Sequence, residues 1–194
     1  MIEPLQSDKI GALGQGVGAS GQANPLASAQ QYGFLLHQTI RTLTNPMNER
    51  VKKLKTPEEC AVFEKNVTER GRPDLAVAAR KRALELRAES YGANSDVERS
   101  CLEAVYAYER VLSAKNGRTT RASRTWQMIE RHGIIGAVER AVNREAETIG
   151  YTALLDMGLE DYAFEAVVVR NPNLFTPGAV KHSQSRIDSW KKRP

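Results

Sequence analysis

The sequence has few of the residues and motifs on which common enzyme activities depend. Its 194 residues include only two cysteines and three histidines, and their spacing matches neither a zinc site nor a disulfide framework. It also lacks the GxxxxGK[ST] loop of many nucleotide-binding proteins, the GxSxG of many hydrolases and the HExxH of metalloproteases. We therefore predict no catalytic site, no metal site and no cofactor.

Long apolar runs and a targeting signal are absent as well. No apolar run approaches the roughly 20 residues that a membrane-spanning helix needs. The first 24 residues have neither the basic nor the apolar region of a secretory signal, so the sequence predicts a cytoplasmic protein without a membrane partner. In that compartment Cys60 and Cys101, which lie in helical patterns, are expected to be buried thiols rather than a disulfide.

The composition, with 41% hydrophobic and 26% charged residues, is typical of a folded chain. Residues 1–24 are rich in Gly, Ser, Ala and Gln, so we predict a disordered N-terminal arm there. Residues 25–190 are predicted to form a single helical domain, and residues 191–194 a short basic tail. The predicted fold class is all-α, a compact multi-helix bundle of about seven to nine helices.

Capping residues and glycines divide this domain into helices. Thr56 with Glu59, and Ser95 with Glu98, have the spacing of capping boxes, and a glycine follows several of the apolar periodic stretches. The predicted helices cover 26–43, 57–71, 73–92, 96–116, 120–132, 134–143, 152–157 and 160–170, and a last one begins at 177. Three valines at 167–169 also fit a strand, but no second run exists to pair with them, which favours helix.

The strongest functional signal is the stretch from Lys115 to Arg144, called here the arginine-rich segment. It contains seven Lys or Arg residues and two Glu, a local formal charge of +5, in a chain with a pI of about 9.3. This concentration of cations favours a polyanionic partner. The candidate nucleic-acid-binding residues are Lys115, Arg118, Arg121, Arg124, Gln127, Arg131, Arg140 and Arg144.

A helical wheel gives this segment two sides. The polar side chains that fall within an arc of about 120° are Arg121, Arg124, Gln127 and Arg131. The residues predicted to face the core are Ala122, Trp126 and Ile129. Arginine binds phosphate or guanine through two parallel donors, and Gln127 can pair with adenine in a major groove. We therefore favour a nucleic acid as the partner, DNA rather than RNA.

The helix–Gly–helix pattern resembles a DNA-binding helix-turn-helix, with two departures. If Gly133 is the turn glycine, Glu139 occupies a position that should face the core of the second helix. The first helix is also the more basic one, whereas the second helix reads the groove in the common arrangement. The pattern therefore indicates a basic pair of helices without establishing groove reading.

An equal and opposite charge follows directly and supports an alternative. Residues 145–175 contain six Asp or Glu and one Arg, a local charge of −5. Glu160, Asp161 and Glu165 can then cover the arginines in exposed ion pairs, each worth about 0–1 kcal/mol. On this alternative the chain is a helical protein interaction module or complex subunit, which docks an acidic protein or forms a homo-oligomer.

Other charged patterns have simpler explanations. Arg70-Gly71-Arg72-Pro73 resembles the core of an AT-hook, but Gly71 and Pro73 are explained as a helix stop and a helix start. Two basic clusters are typical of solvated helix faces: Lys52, Lys53 and Lys55, and Arg80, Lys81 and Arg82. A third hypothesis, a nuclease-type enzyme, requires scattered carboxylates to converge on a divalent ion. The candidates are Glu103, Glu109, Glu139 and Glu165.

Overall fold

The structure is a computed structural model that describes residues 48–144 and 150–192. Within these ranges the chain forms eight α-helices and no strand. The helices are α1 (Asn48–Lys52), α2 (Pro57–Glu69), α3 (Pro73–Tyr91), α4 (Asp96–Asn116), α5 (Ser123–Val142), α6 (Tyr151–Asp156), α7 (Phe164–Arg170) and α8 (Pro177–Lys191). The predicted all-α bundle is confirmed. The predicted arm at 1–24 and helix at 26–43 lie outside the described residues, and the single domain over 25–190 stays a prediction.

The helices begin where the capping pattern predicts. The hydroxyl oxygen of Thr56 accepts a hydrogen bond from the amide of Glu59 (3.1 Å), and that of Ser95 accepts one from the amide of Glu98 (3.2 Å). In both boxes the glutamate also accepts a hydrogen bond from the amide one residue before the cap. Glu59 accepts from the amide of Lys55 (2.7 Å), and Glu98 from the amide of Asn94 (2.8 Å). These contacts satisfy amides that have no partner within the helix.

One turn requires glycine for both its conformation and its space. Gly158, which follows α6, has a φ of 67°, and a Cβ placed there would lie 2.9 Å from Cγ2 of Val77 on α3. A left-handed conformation already disfavours other residues, and the close approach removes room for any side chain. Gly158 therefore lets the turn after α6 lie directly against α3.

The core is centred on α4, which packs against α3, α5, α6 and α7. The side chains that α4 buries are Cys101, Leu102, Ala104, Val105, Ala107 and Val111.

Cys60 is buried as well, and burial raises the pKa of Cys101 to about 12. Both cysteines are therefore buried thiols, as predicted, and this burial disfavours the thiolate form through which a cysteine reacts.

Ion pairs within the fold join helices that are distant in the sequence. Glu64 on α2 accepts hydrogen bonds from Arg80 on α3 (2.6 Å) and Arg110 on α4 (2.9 Å). Arg80 also donates to the backbone carbonyl of Met157 at 3.0 Å. Because these side chains are partly buried, the pairs are less screened than exposed ones. They fix the relative positions of α2, α3 and α4.

The C-terminal part of the chain departs from prediction in one place. The helix predicted over 160–170 is a short 3-10 helix, Glu160–Tyr162, followed by α7. Between them Ala163 is extended, with φ −64° and ψ 145°, so the two pieces cannot form one helix. The three valines lie in α7, which confirms helix over strand.

Within the described ranges, no helix combines the length and the apolar character that crossing a membrane requires.

Candidate nucleic-acid interface

A single carboxylate positions the start of α5. Oε1 of Glu109 on α4 accepts hydrogen bonds from the backbone amide of Ala122 (2.9 Å) and from Nε1 of Trp126 (2.7 Å). The amide of Thr120 is bound by the hydroxyl of Ser113 (2.9 Å). These contacts hold the chain in a non-helical path up to Ala122, so α5 begins at Ser123 and the predicted start at Thr120 is wrong.

The two sides predicted for this helix are present. Thr125, Trp126 and Ile129 are buried against the core, and Arg124, Gln127 and Arg131 are exposed. The exposed residues are separated by three and four positions, which places them along one side of the helix. The arginines therefore offer their donors to solvent because their neighbours on the opposite side bury the apolar surface.

Arg121 belongs to the loop before α5 and not to its helical face. Its guanidinium carbon lies 5.1 Å from the ring centroid of Trp126, a cation–π contact. The side chain is nevertheless exposed. Arg121 is therefore held by an aromatic ring while its donors remain open to a ligand.

The candidate cations are exposed and form no ion pair within residues 48–144 and 150–192. All eight candidate residues are exposed: Lys115, Arg118, Arg121, Arg124, Gln127, Arg131, Arg140 and Arg144. Among the described residues, no carboxylate forms an ion pair with any of the seven cations in this set. Glu165, expected in the alternative to cover them, is instead 2% exposed and paired with Arg186 on α8 at 3.0 Å.

Gly133 bends α5 and divides the segment into two parts. Its φ of 72° and ψ of 171° lie outside the helical region, as the predicted break requires. Beyond the bend, Ala137, Val138, Ala141 and Val142 are buried and Arg140 is exposed. An open groove of about 740 Å³ follows the bend, lined by Met128, His132, Gly136, Glu139, Arg140, Asn143 and Arg144. Two of the candidate arginines therefore border a concave surface.

Glu139, the residue that breaks the helix-turn-helix pattern, has a structural role. Its Oε1 accepts hydrogen bonds from the amide (3.3 Å) and the hydroxyl of Thr176, the N-cap of α8. It therefore ties the second half of α5 to the start of α8. A glycine bend without a connecting turn, together with this contact, distinguishes the segment from a helix-turn-helix.

The second basic cluster, Arg80 to Arg82, is engaged by contacts within the fold. Arg80 is bound by Glu64, and Arg82 by Glu85 at 3.0 Å and Glu89 at 3.4 Å. The ammonium of Lys81 lies 5.9 Å from the ring centroid of Tyr162. This trio is therefore occupied by contacts within the fold. The Lys52 side chain pairs with Glu49 at 2.9 Å, and both side chains are exposed.

The AT-hook resemblance reflects helix boundaries. Gly71 has a φ of 69°, Pro73 is the first residue of α3, and Arg72 pairs with Asp74 at 2.9 Å. A minor-groove hook needs an extended segment with available arginines. The structural explanation predicted for this tetrapeptide is therefore confirmed.

Three of the four scattered carboxylates make separate contacts within the fold. Glu109 binds Trp126, Glu139 binds Thr176 and Glu165 binds Arg186, as described above. Burial raises the pKa of Glu103 to about 7; its charged neighbours are Glu85 and Glu89, which raise this pKa, and Arg99 and Arg170, which lower it. No group of three or more metal-ligating side chains occurs in the described residues. The structure therefore gives no support to the nuclease-type hypothesis.

Gly16, Gly18 and Gly21 have the GxGxxG spacing of a dinucleotide-binding loop, but lie outside the described residues. That loop functions between a strand and a helix, so the spacing alone does not indicate a binding site.

Comparisons with family models, with curated proteins and with solved structures found no match for this chain.

Proposed function

We propose that this protein is a non-enzymatic nucleic-acid-binding protein, with a preference for DNA over RNA, and that it binds through the arginine-rich segment. The observation that carries the proposal is the set of seven cations from Lys115 to Arg144 that are exposed and have no internal carboxylate partner in the described residues. A cation that already has a carboxylate partner must give it up to bind phosphate. Against the described part of the chain, these side chains have no such cost.

The start of α5 supports the same surface. Its N-cap residue, Ala122, provides no side-chain hydrogen bond to the first turn. The first amides of an α-helix have no partner within the helix and carry a partial positive charge, so they favour anions. Arg121 and Arg124 flank this end of the helix. A backbone phosphate bound beside this end is met by both guanidinium groups. The Ala122 amide is already bound by Glu109 and the Ser123 amide by the carbonyl of Arg121.

The experiment is a titration of a short fluorescent DNA duplex with the protein, followed by fluorescence anisotropy at several salt concentrations. Each phosphate neutralised by the protein contributes a slope of about −0.9 to the plot of log affinity against log salt. We expect Arg121→Ala with Arg124→Ala to weaken binding and to reduce that slope by about 2 in magnitude.

A matched control removes the same charge elsewhere. Arg50 on α1 and Arg70 at the end of α2 are exposed arginines outside the arginine-rich segment. Arg50→Ala with Arg70→Ala is expected to leave affinity and slope nearly unchanged. The proposal fails if the wild-type protein binds neither the duplex nor one of its strands alone at low salt, or if both double variants weaken binding equally. Salt-sensitive self-association without nucleic-acid binding would favour the interaction module instead.

A further inference from the structure

Tyr91 is an aromatic side chain that the fold leaves unusually open. It is the last residue of α3, and 45% of its surface is exposed. Its ring contacts Trp126, with the centroids 5.3 Å apart and the planes inclined by 33°. Trp126 is only 6% exposed and contacts Tyr106 as well, at 5.4 Å. Tyr91 therefore forms the solvent-facing part of an aromatic cluster whose other members are largely covered.

Cations border the same cluster. The Arg121 guanidinium lies over the Trp126 ring, and the Arg87 guanidinium lies 5.8 Å from the ring centroid of Tyr106. Arg121 and Tyr91 thus both contact the Trp126 indole. Because Glu109 fixes the indole nitrogen at 2.7 Å, the ring that supports both groups is held in place.

An open aromatic ring beside arginines has a known use in nucleic-acid recognition. Every nucleobase has a flat face that stacks on an aromatic side chain, and an adjacent arginine binds the phosphate of the same strand. In a duplex the base faces are covered by neighbouring base pairs, so stacking on a protein ring requires an unpaired base. Phosphate contacts alone do not distinguish the two forms in this way.

We propose that Tyr91 and Arg121 form a binding site for an unpaired nucleotide, in which a base stacks on the Tyr91 ring and a neighbouring phosphate binds Arg121. The site makes single-stranded nucleic acid the preferred ligand over duplex. This inference rests on the proposed function and assigns its ligand class. It adds a stacking residue, outside the arginine-rich segment, to the interface.

The test compares one oligonucleotide sequence as a single strand and as a duplex, by anisotropy at fixed salt. We expect the wild-type protein to bind the single strand more tightly. Tyr91→Leu removes the ring and keeps apolar bulk, so it should lower single-strand affinity by at least about fivefold and duplex affinity by less than about twofold. Tyr91→Phe keeps the ring and should retain the single-strand preference.

Two further variants make the result interpretable. Val62→Ala changes another exposed apolar side chain, which lies on α2, and should alter neither affinity. Tyr91→Ala tests the same site with a smaller side chain, and circular dichroism shows that each variant is folded. The inference is overturned if the single strand binds no better than the duplex. It is equally overturned if both leucine and alanine variants leave single-strand affinity unchanged, or lower both affinities by the same factor.

The same measurements distinguish a refuted unpaired-nucleotide site from a refuted proposed function. If the wild-type protein binds duplex and loses salt-dependent affinity on Arg121→Ala with Arg124→Ala, while Tyr91→Leu changes nothing, only the unpaired-nucleotide site is refuted. If the wild-type protein binds neither form at low salt, both proposals are refuted together.

Discussion

Replacing Glu109 with alanine should lower the free energy of unfolding, because the Glu109 carboxylate binds two buried donors. The carboxylate oxygen accepts two hydrogen bonds, from the amide of Ala122 and the indole nitrogen of Trp126. Both donor residues are buried, at 4% and 6% exposure. A buried donor without a partner costs about 1–3 kcal/mol, so two of them give a loss of about 2–6 kcal/mol.

The measurement is urea unfolding followed by far-ultraviolet circular dichroism, with the free energy of unfolding obtained by linear extrapolation. Glu109→Gln keeps an oxygen that can accept both hydrogen bonds, so it should lose less than about half of what alanine loses. Glu130→Ala removes an exposed carboxylate on α5 and should be nearly neutral.

Two results would refute this reasoning about Glu109. If Glu109→Ala loses less than about 1 kcal/mol, the two hydrogen bonds do not hold the start of α5. If Glu109→Gln is as damaging as Glu109→Ala, the negative charge matters rather than the acceptor oxygen. Melting temperature offers a second measure, since each kcal/mol lowers it by about 2–4 °C in a domain of this size.

Two other substitutions test features of the fold. Burial raises the pKa of Glu103 to about 7, so the folded protein retains a proton that the unfolded chain releases above about pH 4.3. The free energy of unfolding of the wild-type protein should therefore decrease as the pH rises from about 4.3 to about 7. Glu103→Gln should remove this decrease, so the variant should be more stable than the wild-type protein at pH 8 but not at pH 4. Gly133→Ala should lower the free energy of unfolding by about 1–3 kcal/mol, because only glycine tolerates the backbone angles at this position. Gly136→Ala lies within a helical stretch and should lower it less in the same urea unfolding assay.

Much of the fold was predictable because its boundaries depend on local chemistry. Thr56, Ser95 and Thr176 cap the helices that the sequence assigns to them. Such contacts lie within a few residues, where sequence spacing and spatial distance are nearly equivalent. The break at Gly133 was predictable for the same reason.

Two features of the site depended on contacts between distant residues. Glu109 lies 13 residues before Ala122, and its side chain moves the start of α5 to Ser123. Tyr91 meets Trp126 from a different helix, so no spacing in the sequence places it beside Arg121. A tyrosine directly before the glycine that ends a helix was the available signal, since helix ends are often exposed.

Described carboxylates such as Glu64 and Glu165 bind other cations and leave the arginine-rich segment exposed. Glu64 is bound by Arg80 and Arg110, and Glu165 by Arg186, so acidic side chains that are buried or partly buried satisfy other cations. Ion pairs on a surface contribute about 0–1 kcal/mol, so leaving several arginines unpaired costs little stability. The fold therefore tolerates this exposed positive surface, and a polyanion that binds it need not displace a partner among residues 48–144 and 150–192. The Arg121–Trp126 cation–π contact contributes about 0.5–1 kcal/mol, a small part of the stability of a domain, so substitutions in the segment are expected to change binding more than folding.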